Sequence, residues 1–307
     1  MPIVTITSLD DPRIADYRSL RDQELAQRAD PASPAAHRGI FMAEGELVVR
    51  RLAESPFAVR SLLLAESRVE PMRDLLDALA SDVPAFVAPQ RVVNEIIGFN
   101  IHRGVLAVGE RGEPAEIGAL LARRGPFVVL EDLCNHDNIG AIFRNCAALG
   151  GAGVSVLLSP RTADPLYRKS LRVSMGHALL VPWARLDRWP DALHEFRAAG
   201  IRVLALTPGA GAHDVREIAA ELRAVPAAPA PRIALLLGTE GDGLSAAAMA
   251  HADQLVRIDM PPGPTGAVAD SLNVAVAAAV ALHALACATE PPPRGRGQGE
   301  GDRSTPL

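Results

Sequence analysis

The sequence predicts an α/β protein in two units, the second built on a mainly parallel sheet. Three observations lead there. The 307 residues exceed one average domain, so two units large enough to bury cores are expected. From Pro126 onward, short apolar runs alternate with helix-like stretches, the pattern of strand–helix–strand crossovers. Residues 1–112 alternate more loosely, and a charged stretch with Gly and Pro, 113–125, separates the two regions.

In the front region, apolar runs at 39–43, 59–64, 85–88 and 104–108 read as strands. Residues 44–52 place apolar side chains between charged ones, which reads as a helix. In the second unit, 126–290, strands are expected at 127–130, 154–158, 201–206, 233–237 and 255–258, with helices between them. A last helix, about 271–288, is rich in Ala and Val nearly all round, which predicts burial between the sheet and another surface. Residues 291–307 carry almost no apolar side chains to repay ordering and read as a disordered tail.

Composition removes several functions. Lys169 is the only lysine among 31 basic residues. No phosphate-loop motif can be written around it, and a Schiff-base enzyme would have to use that one residue. A net charge of −5 argues against a wholly basic nucleic-acid coat protein. Locally the picture differs: residues 161–188 carry six cations against Asp164 and Asp187, which reads as a phosphate-facing surface or a solvated helix face. Cys134, Cys146 and Cys287 are widely spaced with no C-x-x-C, so neither a disulfide framework nor a zinc site is expected. The start shows no signal-peptide pattern, and the longest apolar run, 274–288, is short for a membrane span. A cytoplasmic protein is expected.

Three loops follow strand ends, where open α/β sheets place ligands. In the first, Asn138 reads as a helix N-cap, and Arg144 stands among apolar residues, where it needs a carboxylate or phosphate partner. The second, Gly238-Thr239-Glu240-Gly241-Asp242-Gly243-Leu244, has glycines that let backbone amides approach a flat ligand. It is not the G-x-G-x-x-G dinucleotide fingerprint. The third runs from Ile258 and Met260 through a Pro/Gly loop to Ser271-Leu272-Asn273, and reads as a lid before a helix opened by Asp270 or Ser271. Asn273 suits local capping or a ligand contact.

Taken in order, these segments resemble the three motifs of the SpoU/TrmH family of RNA ribose 2′-O-methyltransferases, within the SPOUT superfamily. Its N-x-G-x-x-x-R is met by Asn138, Gly140 and Arg144, and its G-x-E-G-x-G-L by Gly238 to Leu244. Its I-x-M followed by S-L-N-V is met by Ile258, Met260 and Ser271 to Val274. Arg172-Val-Ser-Met-Gly176 is similar to the family's R-x-S-M-G. More loosely, residues 41–46 and 98–107 resemble the small RNA-recognition domain ahead of many such enzymes, nearer the ribosomal-RNA branch than the transfer-RNA one. Three departures stand out. Ten residues separate Met260 from Ser271 where about five are common, Asp259 replaces a usual Pro, and His136-Asp137 replaces Asp-Pro.

The resemblance implies a C-terminal trefoil knot, S-adenosylmethionine as cofactor, RNA as partner and a homodimer. It carries cofactor contacts onto Gly238, Ile258 and Leu272, with Thr239 and Met260 as neighbours. The catalytic set it implies is Arg144, Asn138, Glu240, Ser271 and Asn273, with no metal. A guanidinium stays protonated to above about pH 12, so Arg144 is assigned first to clamping a phosphate and orienting the hydroxyl. His136 titrates in a range suited to accepting a proton but reads more simply as a loop residue. His102 reads as an RNA-facing or a packed residue. Two rivals are a catalytically inactive RNA-binding module and a methyltransferase for a small metabolite. The first would need a broken motif, and the second leaves the front unit without a task. With 4% aromatics, recognition should lean on RNA shape and phosphates.

Overall fold

The computed structural model describes residues 2–18, 21–28, 39–101, 104–209, 211–224, 231–264 and 266–289. His102 and the 291–307 tail lie outside these residues. The front unit is a five-stranded sheet of β1 (Ile3–Thr5), β2 (Ile40–Glu44), β3 (Val59–Ala65), β4 (Ala85–Ala88) and β5 (Val105–Glu110), in the order β1-β4-β3-β5-β2. β1, β4 and β3 run parallel, while β5 is antiparallel to both β3 and β2. Its helices are α1 (Asp22–Gln27), α2 (Glu46–Glu54), α3 (Arg73–Ala78) and α4 (Gln90–Ile97). The strand centres are apolar because both sheet faces are covered. Leu62 and Leu64 join one core cluster, while Leu63 and Ala65 join another.

The second unit holds seven parallel strands in the order β10-β12-β9-β11-β6-β7-β8. They are β6 (Phe127–Leu130), β7 (Ser155–Leu158), β8 (Trp183–Arg185), β9 (Ile201–Leu206), β10 (His213–Asp214), β11 (Arg232–Leu237) and β12 (Gln254–Arg257). The helices are α5 (Ile117–Leu121), α6 (His136–Leu149), α7 (Arg168–Val173), α8 (Leu193–Ala198), α9 (Val215–Ala224), α10 (Ala246–Ala250) and α11 (Val274–Thr289). Val128 and Leu130 pack with α6, α9 and α11, whereas Phe127 and Val129 pack with α5 and α8, so each face carries its own helical layer.

Every expected strand is present within two residues at either end. The short edge strands β1, β8 and β10 were not expected; three residues or fewer carry no readable period. The 113–125 stretch is not a plain linker, because it contains α5, whose Leu120 and Leu121 are buried in the core. The last helix begins at Val274 instead of about 271. It packs on α6 and α9 but leaves Val276 and Val280 51% and 40% exposed, so the expected burial all round is not completed within one chain. Among the described residues, no helix is long and apolar enough to cross a membrane.

The two units share a core: Phe41, Ala43, Val48 and Leu52 belong to the cluster that contains Leu171 and Leu179. Arg111 pairs with Asp164 at 2.6 Å across the junction. Arg168 lies 3.5 Å from Asp22 and 3.9 Å from Glu44, with its guanidinium over the Phe99 ring. Within 161–188, Arg161 pairs with Asp132, Lys169 with Asp137 and Arg188 with Glu195. Arg185 donates to the carbonyls of Ser159, Pro160 and Thr162. Arg168 and Arg185 are thus drawn into the fold, while Arg161, Lys169 and Arg188 stay exposed in surface pairs, so the segment is a largely paired surface and not a bare basic one. Arg172 alone of the six is exposed without an ion pair among the described residues.

Candidate active site

The carboxyl ends of β9, β11 and β12 open into a cavity of about 410 Å³, within the size range of small-molecule sites. Its walls come from Leu206 to Pro208, from Leu237 to Gly241 with Gly243, from Ile258 and Met260, and from Ser271 to Val274 with Ala277. All five residues assigned to the cofactor, Gly238, Thr239, Ile258, Met260 and Leu272, line this one cavity. The segment 206–208 was not singled out from sequence; it has no glycine pattern and shows itself only by lying at a strand end.

The glycine-rich segment is shaped by sterics. The Thr239 and Gly243 amides each donate to the other's carbonyl at 3.1 Å, closing a tight turn. Gly241 and Gly243 have φ of 105° and 70°, a region that favours glycine. A Cβ on Gly238 would lie 2.2 Å from the Gly243 carbonyl carbon, so a side chain there is excluded by backbone. Glu131, at the end of β6, anchors the far side of the turn. Its carboxylate accepts from the Ser245 amide at 2.8 Å, the Ser245 hydroxyl at 2.7 Å and the Trp189 indole at 2.6 Å. Sequence reading missed Glu131, although an acidic residue ending a buried strand was a visible signal.

Asn138 is not the N-cap of α6. That role belongs to Asn135, whose side chain accepts from the Asp137 amide at 2.9 Å. Asn138 sits inside the first turn, 6% exposed, and donates through Nδ2 to Oε1 of Glu240. Asn273 Nδ2 donates to the same Oε1 at 2.8 Å and to Asn138 Oδ1 at 3.0 Å. The Asn273 side-chain oxygen meanwhile accepts from the amides of Ala275 and Val276, so Asn273 opens α11, not Asp270 or Ser271. One side chain thus both caps a helix and orients a carboxylate. Three residues far apart in sequence form one polar network, with Glu240 and Asn273 in the cavity wall and Asn138 behind them. Ser271 also lines the wall.

Gly140 has a packing role: a Cβ there would lie 2.7 Å from the Ser170 carbonyl, so glycine lets α6 and α7 cross closely. Arg144 does not line the cavity. It is exposed, with no ion pair or hydrogen bond among the described residues, so of the two partners expected for it, a buried carboxylate or a phosphate, the described residues supply no carboxylate. Burial first, and then the charges of Arg51 and Arg144, hold the His177 imidazole below its ordinary value. His136 stacks on Tyr167 with ring centroids 5.0 Å apart and lies outside the cavity wall, which favours the loop-residue reading.

The Pro/Gly loop between Met260 and Ser271, expected as a lid, does not cover the cavity in this structure. Its described residues are exposed and none lines the cavity; the Gly263 amide donates to the Ala267 carbonyl at 2.7 Å. Asp259 replaces the usual proline for a readable reason. Its amide donates to Asp214 Oδ2 at 3.3 Å and its carboxylate pairs with Arg257 at 2.6 Å, and proline could make neither contact.

Fold and site define an α/β protein with a ligand cavity at the carboxyl ends of a parallel sheet, bordered by polar side chains from three separate segments. The chain belongs to the SpoU rRNA Methylase family, whose sequence pattern matches residues 125–283, and so to the RNA methyltransferases. An uncharacterized tRNA/rRNA methyltransferase of Mycobacterium bovis is 40% identical over 266 residues, 87% of this chain and 85% of that protein. An AdoMet-bound rRNA methyltransferase from Sinorhizobium meliloti is similar in structure, with a TM-score of 0.69 and 25% identity, covering 92% of this chain and 97% of that one. The SpoU methyltransferase AviRb from Streptomyces viridochromogenes, in complex with AdoMet, shares the fold at a TM-score of 0.68 and 23% identity, covering 90% and 98%.

Proposed function

We propose that this chain transfers a methyl group from S-adenosylmethionine to a ribose 2′-hydroxyl of structured RNA, ribosomal RNA ahead of transfer RNA. The observation that carries the reading is the network of Asn138, Glu240 and Asn273 at the wall of a glycine-cradled cavity. The cavity fits the cofactor. Gly238 leaves bare backbone where a Cβ would intrude, and Leu206, Leu237, Met260 and Ala277 offer apolar surface to a flat ring. The S. meliloti protein bears AdoMet in the same fold, front unit included, which also favours ribosomal RNA.

When bound, S-adenosylmethionine supplies an electrophilic methyl group on a sulfonium. The backbone around Gly238, Ile258 and Leu272 would hold it. Glu240, with one carboxylate oxygen fixed by two carboxamides, would offer the other to the ribose hydroxyl and take up the proton that this hydroxyl gives up on methylation. Fixing this geometry before reaction supplies much of the rate. Arg144 clamps a substrate phosphate. Because it stands outside its own cavity, we assign it to the cavity of a second copy. A homodimer would cover Val276 and Val280 and complete the site. The region is read as the trefoil knot that the family resemblance implies.

The test is incubation with methyl-labelled S-adenosylmethionine and either ribosomal or transfer RNA. Label in ribosomal RNA is expected. Intact cofactor binding with no label in either RNA would overturn the reading.

A further inference from the structure

The turn after α7 connects the front unit to the helix that carries Arg144. Met175 and Gly176 have φ of 53° and 85°, so the chain reverses sharply there. The short 3-10 turn His177–Leu179 that follows packs against α6 on one side and α2 on the other. From α2, Arg51 Nη1 donates to the Met175 carbonyl. A Cβ on Gly176 would lie 3.1 Å from Cδ of Arg51 and 3.3 Å from Cα of Val48, so glycine is what lets α2 sit this close.

The half-buried His177 sits between the helices that carry Arg51 and Arg144, and burial first, then the charges of these two arginines, holds its imidazole below its ordinary value. Around this turn the two guanidinium groups lack a carboxylate partner among the described residues. The neighbouring Arg50 is different, pairing with Glu46 at 3.1 Å and Asp74 at 2.7 Å. Two cations gathered without an anion are unfavourable until one arrives, and the planar fork of arginine suits phosphate oxygens. The His177 imidazole adds an N–H donor in either protonation state. A carboxylate ligand would satisfy the charge as well, but the RNA chemistry of the family makes a phosphodiester the anion at hand.

We propose that Arg51, His177 and Arg144 form one subsite for the RNA phosphodiester backbone, straddling the two units, with Arg51 as the front unit's contribution. This rests on the RNA-methyltransferase reading above. The front unit then does more than bring RNA near: through Arg51 it fixes the backbone at the position where Arg144 works.

The test measures RNA affinity of the full chain across a salt series for wild type, Arg51→Gln, Arg51→Lys, His177→Gln and the exposed front-unit control Arg91→Gln. Each lost phosphate contact should lower the salt slope by about 1. Arg51→Gln should therefore weaken binding several-fold with a shallower slope, and raise KM for RNA more than it lowers kcat. Arg51→Lys should keep most of the slope, His177→Gln should weaken binding less, and Arg91→Gln should match wild type. S-adenosylmethionine affinity should be unchanged throughout, which also shows that the variants are folded. Wild-type affinity and slope in Arg51→Gln would overturn the proposal. So would weaker binding with an unchanged slope, since Arg51 would then only seat α2 on Met175. A wild-type chain that neither binds nor methylates RNA would instead remove the underlying reading.

Discussion

Asn138 shows how far a single residue can be read from sequence. Its position before an apolar helical stretch suited an N-cap, but Asn135 takes that role and leaves Asn138 to hold Glu240. The motif identified the residue, whereas the network it joins depends on Glu240, 102 residues away, and Asn273, 135 away. No local pattern encodes such separations. Arg144 shows the converse: the sequence marked it as needing a partner, and the fold leaves it exposed and awaiting one. The two should respond differently to truncation. Arg144→Ala should lower methyl transfer by roughly 10²–10³-fold, as for other positioned charges in active sites, with S-adenosylmethionine affinity within a few-fold of wild type. Asn138→Ala should also cost about 1–3 kcal/mol of stability, because it strips a buried network of one member. Thermal unfolding beside single-turnover rates separates the two, and lost cofactor binding in Arg144→Ala would show that its role is misplaced.

At the scale of elements, the central strands were legible because they are apolar on both faces, and their boundaries came out within two residues. The edge strands were not, since β8 and β10 are too short to carry a period. The cofactor segments were legible as motifs, but their convergence on one cavity follows from the order β12-β9-β11, which sequence spacing does not give. Gly238→Ala should place a methyl group into the Gly243–Leu244 backbone and force the turn open. Calorimetry should show S-adenosylmethionine affinity reduced at least about tenfold, equivalent to about 1.4 kcal/mol; unchanged affinity would place the cofactor elsewhere.

The wall at Ile258 has its own lock. Asp214, at the end of β10, accepts from the Arg216 side chain, the Arg216 amide and the Asp259 amide. These contacts, the Arg216 side chain first, hold its carboxyl well below the usual range. The folded-state value is depressed, so this contribution is present above the unfolded carboxyl value near about 4 and is lost as pH falls below it. Asp214→Asn should lower the unfolding midpoint at pH 7, with the gap to wild type narrowing below about pH 4. A gap independent of pH would contradict the assignment.

Across the whole molecule, the sequence separated two units but did not show that they share one core and a set of interfacial arginines. It also could not show that the 161–188 cations are mostly paired, because pairing depends on Asp22, Glu44, Asp132 and Asp137 arriving from elsewhere in the fold. The net charge of −5 therefore coexists, among the described residues, with arginines such as Arg51 and Arg144 that have no carboxylate partner. The proposed homodimer would cover the exposed Val276 and Val280 and bring Arg144 to a cavity. Sedimentation equilibrium should give twice the 32.4 kDa chain mass, and a monomer at assay concentration would remove the shared-site assignment.

The central claim is that the methyl group goes to a ribose 2′-hydroxyl. Alkali cleaves RNA through attack by that hydroxyl, so methylation there protects the adjoining bond. RNA labelled by the wild-type protein should therefore yield its label in alkali-resistant dinucleotides. Label released entirely in mononucleotides would place the methyl on a base and contradict the assignment of Glu240 and Arg144 to a ribose.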